Sequence, residues 1–148
     1  MILYAIPVST YSAKVRMALD IKGVDYQMLP LPGGYSTPEY MKLIPLGTIP
    51  GIEDGDLRIS ESDVITEYLE ERFPDPPLLH GYAALRAKQR FVSRYHDLWL
   101  GPNLRALFAQ LDPTARDEQE TAYRLDKYQS RFDKLEELID PKPYMLTE

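Results

Sequence analysis

No cysteine occurs anywhere in the 148-residue chain. Disulfides, cysteine metal sites and a cysteine nucleophile are therefore excluded. Histidine is scarce, with only His80 and His96. No ligand spacing brings carboxylates to them, so no metal site is expected. Positive charge is the minority: 17 Lys and Arg stand against 23 Asp and Glu, a formal net charge of −6. Nucleic acids and anionic membranes are both bound through clustered positive charge, so neither is an expected partner. No apolar run approaches the roughly 20 residues of a membrane span. Residues 1–6 are apolar, but no basic segment precedes them and Pro7 follows at once. No signal peptide is expected, and the cytoplasm is the expected compartment. What is present is an ordinary globular balance, 44% hydrophobic and 27% charged. The length suits one well-packed domain, or a small domain with part of a second.

Ile2 to Ile6 is a short apolar run ended by Pro7, which reads as a strand buried on both faces. After the polar turn Ser9-Thr10-Tyr11-Ser12, Val15, Ala18, Leu19 and Lys22 recur at helical spacing, with Gly23 where a helix C-cap falls. Val24 to Leu29 alternates like a second strand, which makes a βαβ unit with a parallel pair. Residues 30–36 are loop chemistry. Thr37-Pro38-Glu39 starts a short helix to about Leu43: a cap, a proline at the first helical position, an acid in the first turn. Two strands, Gly51-Ile52-Glu53 and Leu57-Arg58-Ile59, flank the hairpin signal Asp54-Gly55. Ser60-Glu61-Ser62-Asp63 is expected to cap a helix with Val64, Ile65, Tyr68 and Leu69 on its apolar face. Pro74, Pro76 and Pro77 end it.

The order β-α-β-α-β-β-α, closing near residue 73, is a thioredoxin-like arrangement. Beyond the proline-rich linker the pattern from Tyr82 to Leu111 is helical, carried by Phe91, Tyr95, Leu98, Trp99, Leu104, Leu107 and Phe108, with an interruption expected at Gly101-Pro102. Asp112-Pro113 is expected to start another helix, burying Tyr123, Leu125, Tyr128, Phe132, Leu135, Leu138 and Ile139, with Pro141 and Pro143 as stops. The expected division is an α/β domain over residues 1–79 and a partial all-α domain over 80–148.

Three segments together resemble the glutathione transferase family. They are Ser9-Thr10-Tyr11-Ser12-Ala13-Lys14-Val15-Arg16, Pro45-Leu46-Gly47-Thr48-Ile49-Pro50, and Glu61-Ser62-Asp63-Val64-Ile65 with Tyr68-Leu69. Each alone is weak, but all three stand in order at family spacing. The likeness is sharp over 1–79 and looser over 80–148. Two departures stand out. Ile44 occupies the position of the family's usual Asn. The helical domain of the family also normally runs on past residue 148, with Pro143-Tyr144-Met145-Leu146 reading as the lead-in to its core helix.

The resemblance implies glutathione as co-substrate and a homodimer for the full-length protein. The second substrate is an electrophilic, largely apolar small molecule. Ile49 would pair its backbone with the peptide, ahead of Pro50, whose peptide bond is expected cis. Ser62 would hold the γ-glutamyl carboxylate at a helix N-terminus, beside Glu61 for the ammonium. Thr48 is a candidate polar contact, and Lys42 and Arg16 are candidates for the glycyl carboxylate. Ser9 falls where serine-type members keep the hydroxyl that favours thiolate over thiol. Ser9 as a plain helix cap, and Ser12 or Tyr11 as the hydroxyl, stay open. Tyr11, His96 and Trp99 are candidates for the second-substrate pocket, although the aromatics of that helix read first as core. The isomerase branch's two serines and cysteine read Ser9-Thr10-Tyr11 here, which disfavours that branch. A non-catalytic scaffold or protein-interaction module of the same fold is the alternative function.

Overall fold

Apolar alternation in the first 78 residues builds a sheet covered on both faces. The computed structural model describes residues 1–139 and divides the chain into two compact units, Met1–Leu78 and the segment from Leu79. The first unit runs β1 (Ile2–Tyr4), α1 (Thr10–Ile21), β2 (Gln27–Leu29), α2 (Pro38–Met41), β3 (Gly51–Asp54), β4 (Leu57–Ser60) and α3 (Ser62–Arg72). The sheet order is β2-β1-β3-β4. β1 pairs with β2 in parallel, and with β3 antiparallel; β3 pairs with β4 antiparallel. This is the expected thioredoxin-like order with a mixed sheet.

Successive strand residues point to opposite faces, and both faces are buried. Leu3 and Ile52 pack with Val15, Ala18 and Leu19 of α1 and Ile65 and Leu69 of α3. Tyr4 turns the other way and packs with Tyr40 and Ile44, its ring edge-on to Tyr40 at 5.9 Å. Each fully buried Leu or Ile contributes about 1.5–3 kcal/mol. Ile44 thus has a structural use at the position where the family keeps Asn.

α1 ends as its sequence foretells. Gly23 is left-handed (φ +62°), its N–H bonds to Asp20 O, and Val24 N–H bonds to Leu19 O. These two bonds satisfy the last carbonyls of the helix. Lys22 is buried, and its ammonium meets Glu70 of α3 at 2.6 Å. Glu70 also accepts the N–H of Leu78 at 2.8 Å.

Four local expectations need correction in this unit. β1 stops at Tyr4 rather than Ile6, and β2 starts at Gln27 rather than Val24. Val64 is half exposed, because the sheet covers only the narrower stripe of Ile65 and Leu69. The start of α3 has no side-chain cap: Glu61 is the N-cap residue, and no side-chain hydrogen bond closes the turn.

The second unit holds α4 (Ala83–Tyr95), a π-turn (His96–Leu100), α5 (Gly101–Phe108) and α6 (Glu118–Ile139). The interruption expected at Gly101-Pro102 is this π-turn. Pro102 has no N–H for the preceding turn, and the N–H of Gly101 reaches back to His96 O. α6 does not begin at Asp112-Pro113. Asp112 instead closes a local turn onto Thr114, while Asp117 accepts from the N–H groups of Gln119 and Glu120 and caps the helix. The buried core is Tyr95, Leu100 and Leu135, with Tyr128 and Ile139 against it. Tyr123, Leu125, Phe132 and Leu138, expected inside, are about half exposed, as are Phe91 and Trp99. Tyr128, Leu135 and Ile139 lie along one line of α6, at spacings of seven and four; Phe132 stands beside that line, its ring against Tyr128, and is still partly exposed. The expected stops at Pro141 and Pro143 and the lead-in at Pro143–Leu146 lie outside the described residues.

Candidate active site

The strand register brings three loops to one edge of the sheet. Gly51, which opens β3, pairs with Tyr4 at the end of β1 and with Ser60 at the end of β4. The segment entering β3 is Thr48-Ile49-Pro50. The segment leaving β1 runs to Ser9 and into α1. The segment leaving β4 is Glu61-Ser62, opening α3. α1 packs against α3, and two ion pairs fix their direction. Lys14 meets Asp63 near the starts of the two helices, and Lys22 meets Glu70 toward their ends. The helices therefore run the same way, with both N-termini at the edge where Gly51 sits. Ser9 and Ser62 stand at the same end of the sheet.

Ser9 is the N-cap of α1. Its Oγ accepts the N–H of Ser12 at 3.2 Å, so its own O–H remains to donate elsewhere. Capping and donation are compatible in one hydroxyl. Ser62 is buried in the first turn of α3. Glu61 before it has φ +73°, a left-handed value that is unusual for a side chain with a Cβ. Strain of this kind amounts to roughly 1–3 kcal/mol and clusters at ligand-binding turns. An acidic side chain at 61 is held there, exposed, beside the free amides of a helix start.

The Ile49–Pro50 peptide bond is cis, as expected, and Asp75–Pro76 is cis as well. Among the described residues no hydrogen bond reaches the N–H or C=O of Ile49. The segment is anchored from its neighbour: the Tyr40 hydroxyl donates to Thr48 O at 2.8 Å. Tyr40 is fully buried, and burial pushes its phenol up to about 12. Its hydroxyl also lies against Gly51, where an added Cβ would stand 2.8 Å from it and 2.6 Å from Ile44. Glycine at 51 lets α2 close on the strand. Thr48 Oγ1 and Ser12 Oγ are buried without a hydrogen-bond partner among the described residues. Lys42 is exposed at the end of α2.

Tyr11 lies in the first turn of α1, half-buried. His96 and Trp99 belong to the second unit, in the π-turn. The His96 ring nitrogen Nδ1 lies 3.0 Å from Asp97 Oδ1, and the Trp99 ring faces the Arg131 guanidinium at 4.6 Å. Among the described residues no three His, Asp or Glu side chains are grouped to hold a metal ion, and no helix is long and apolar enough to cross a membrane.

Two elements of the site escaped the sequence. Tyr40 reads only as one more apolar position of α2, although a tyrosine facing a loop needs a partner for its hydroxyl. Lys14 and Asp63 read as motif filler, although opposite charges near the starts of two helices that flank the same sheet are the available signal.

The comparisons with known proteins identify the fold's family. Residues 3–77 match the family described as the glutathione S-transferase N-terminal domain. Glutathione S-transferase Z2 of Arabidopsis thaliana is 33% identical over 141 residues, covering 93% of this chain and 63% of that protein. A stringent starvation protein A homolog of Coxiella burnetii is 40% identical over 92 residues, covering 62% of this chain and 44% of that one. A solved holo structure of maleyl pyruvate isomerase, described as a bacterial zeta-class glutathione S-transferase, is 28% identical with a TM-score of 0.81, over 97% of this chain and 70% of that one. The chain thus spans less than two thirds of the length of these two curated relatives. With its mixed four-stranded sheet and its match over residues 3–77, this chain belongs to the glutathione S-transferase family.

Proposed function

We propose that this chain binds glutathione at the Gly51 edge of the sheet and activates its thiol for attack on an electrophilic, largely apolar small molecule. The observation that carries the reading is the meeting of two helix N-termini and the unpaired backbone of Ile49 at that edge. Glutathione offers an extended peptide, carboxylates, an ammonium and a thiol. Ile49, ahead of Pro50, pairs with the peptide like an added strand. The amides at Ser62 take the γ-glutamyl carboxylate, and Glu61 meets the ammonium. Thr48 supplies a polar contact beside the peptide, and Lys42 the charge for the glycyl carboxylate. Ser9 donates its O–H to the sulfur at the mouth of α1. The hydrogen bond and the helix dipole both favour thiolate. A thiol pKa lowered by about 2 units corresponds to roughly 2.7 kcal/mol. Tyr11, in the first turn of α1, borders the place where the second substrate meets the sulfur. The same reading extends to cytoplasmic detoxification by a homodimer.

Retention on immobilised glutathione tests the binding half. The chain should be retained, and Glu61→Ala with Ser62→Ala should abolish retention. Ser9→Ala tests the chemical half: it should keep binding and raise the pKa of the bound thiol, while an unchanged thiol pKa removes Ser9 from the reaction.

A second reading is a glutathione-fold scaffold without catalysis. The match to a protein named for stringent starvation rather than for a reaction favours it. Absence of retention by the unaltered chain would place that reading first.

A further inference from the structure

The residue proposed to take a carboxylate has an acid on each side: Glu61, Ser62, Asp63. Asp63 is the second residue of α3. A carboxylate in a helix's first turn stabilises the helix, but it occupies the same positive end that a ligand anion would use. Like charges within a few ångström of each other repel, the more so where solvent is partly excluded. An acidic helix mouth is by itself a poor anion site. The first unit as a whole compounds the problem, since its 78 residues hold 6 Lys and Arg against 12 Asp and Glu.

Lys14 answers this locally. Its side chain crosses from α1, and Nζ lies 2.5 Å from Asp63 Oδ1. Both side chains are about three-quarters shielded from solvent, so the pair is screened less than a surface pair. The ammonium arrives from the helix whose own N-terminus opens at the same sheet edge. We infer that Lys14 is the counter-charge that makes the α3 mouth able to accept a ligand carboxylate: a binding determinant that acts through Asp63. This rests on the reading that glutathione's γ-glutamyl carboxylate sits at Ser62. Lys14 is a positioning and charge-setting residue, and Asp63 is the group it offsets.

Calorimetric titration with S-methylglutathione, which has no free thiol, isolates binding from thiol ionisation. Four proteins are compared: the unaltered chain, Lys14→Met, Asp63→Asn, and the two substitutions together. Circular dichroism and thermal melting establish that each is folded. Lys14→Met should weaken binding on the order of tenfold, one partly screened charge contact. Asp63→Asn should bind at least as tightly as the unaltered chain. The double variant should recover to within about threefold of it, since the charge that Lys14 offsets is then gone. A purely mechanical tie between the helices predicts the opposite for the last two: both as weak as Lys14→Met, or weaker. That result, or Lys14→Met binding like the unaltered chain, overturns the inference alone. Should Lys14→Met fail to fold, Asp63→Asn still decides, because weaker binding by it contradicts the claim. An unaltered chain that does not bind S-methylglutathione overturns the glutathione reading itself, and the inference with it.

Discussion

The first unit holds an extensive buried core on both sides of a sheet, whereas the second has few buried hydrophobics, although both leave large apolar side chains exposed. In the first, Leu3, Leu19, Ile44, Ile52, Ile65 and Leu69 are fully buried. In the second, only Tyr95, Leu100 and Leu135 are buried hydrophobics among the described residues, and Phe91, Trp99, Phe108 and Phe132 stand roughly half exposed. The two central strands, β1 and β3, are covered on both faces, so Leu3, Tyr4 and Ile52 are all buried, while the edge strand β2 leaves Met28 exposed. A helix buries one stripe, so its apolar content is buried only where its angular position faces a neighbour. The difference locates the larger core, and the candidate glutathione site stands on that unit.

The largest effect should separate the units. Ile65→Ala in α3 should destabilise the first unit by about 2–5 kcal/mol. Leu125→Ala in α6 should move stability by no more than about 0.5 kcal/mol. Urea unfolding followed by circular dichroism measures both. Trp99, the single tryptophan, reports the second unit by fluorescence. Comparable losses at the two positions would erase the contrast.

Tyr40→Phe comes next. It leaves the carbonyl of Thr48 without its donor, at a cost of about 1–3 kcal/mol. It should also change the alkaline limb of stability. The folded state holds the Tyr40 proton up to about 12, against 10.0 for an ordinary tyrosine. Below pH 10 both states keep the proton and stability is flat. Between 10 and 12 the unfolded chain releases it while the folded one does not, so stability falls as pH rises. Tyr40→Phe should make that fall shallower by one tyrosine's share. Tyr4, Tyr26 and Tyr68 are also raised, chiefly by burial at Tyr4 and Tyr26 and by the hydrogen bond to Asp54 at Tyr68, and they keep the remainder.

The smallest effect concerns Glu61. Glycine adopts φ +73° without strain, so Glu61→Gly should stabilise the first unit by about 1 kcal/mol while weakening retention on glutathione. Thermal melting and chromatography read the two opposite changes. A loss in both would mean that the conformation at 61 is set by packing alone.

The contrast between units also explains what the sequence disclosed. The order of the first unit, the Gly23 helix end, the hairpin at Gly55 and the turn at Ile49–Pro50 rest on local chemistry, and local chemistry is written in short spans of sequence. Asp112-Pro113 carried a sound helix-start signal, yet Asp117 had an equally good one, and in the fold Asp112 bonds Thr114 while Asp117 caps the helix. Val64, Tyr123, Leu125 and Leu138 were misplaced because apolar spacing gives the period of a helix but not the width of its contact. Lys14–Asp63 and Tyr40–Thr48 join residues 49 and 8 apart, and no spacing rule connects such pairs before the sheet has brought them together.

The most direct test of the proposed site is an amide-resolved NMR titration of the unaltered chain with reduced glutathione. Saturable shifts concentrated at Ile49, Ser62 and the first turn of α1 beside Ser9 are predicted. Shifts that leave these amides untouched, or no saturable shift at all, would contradict it.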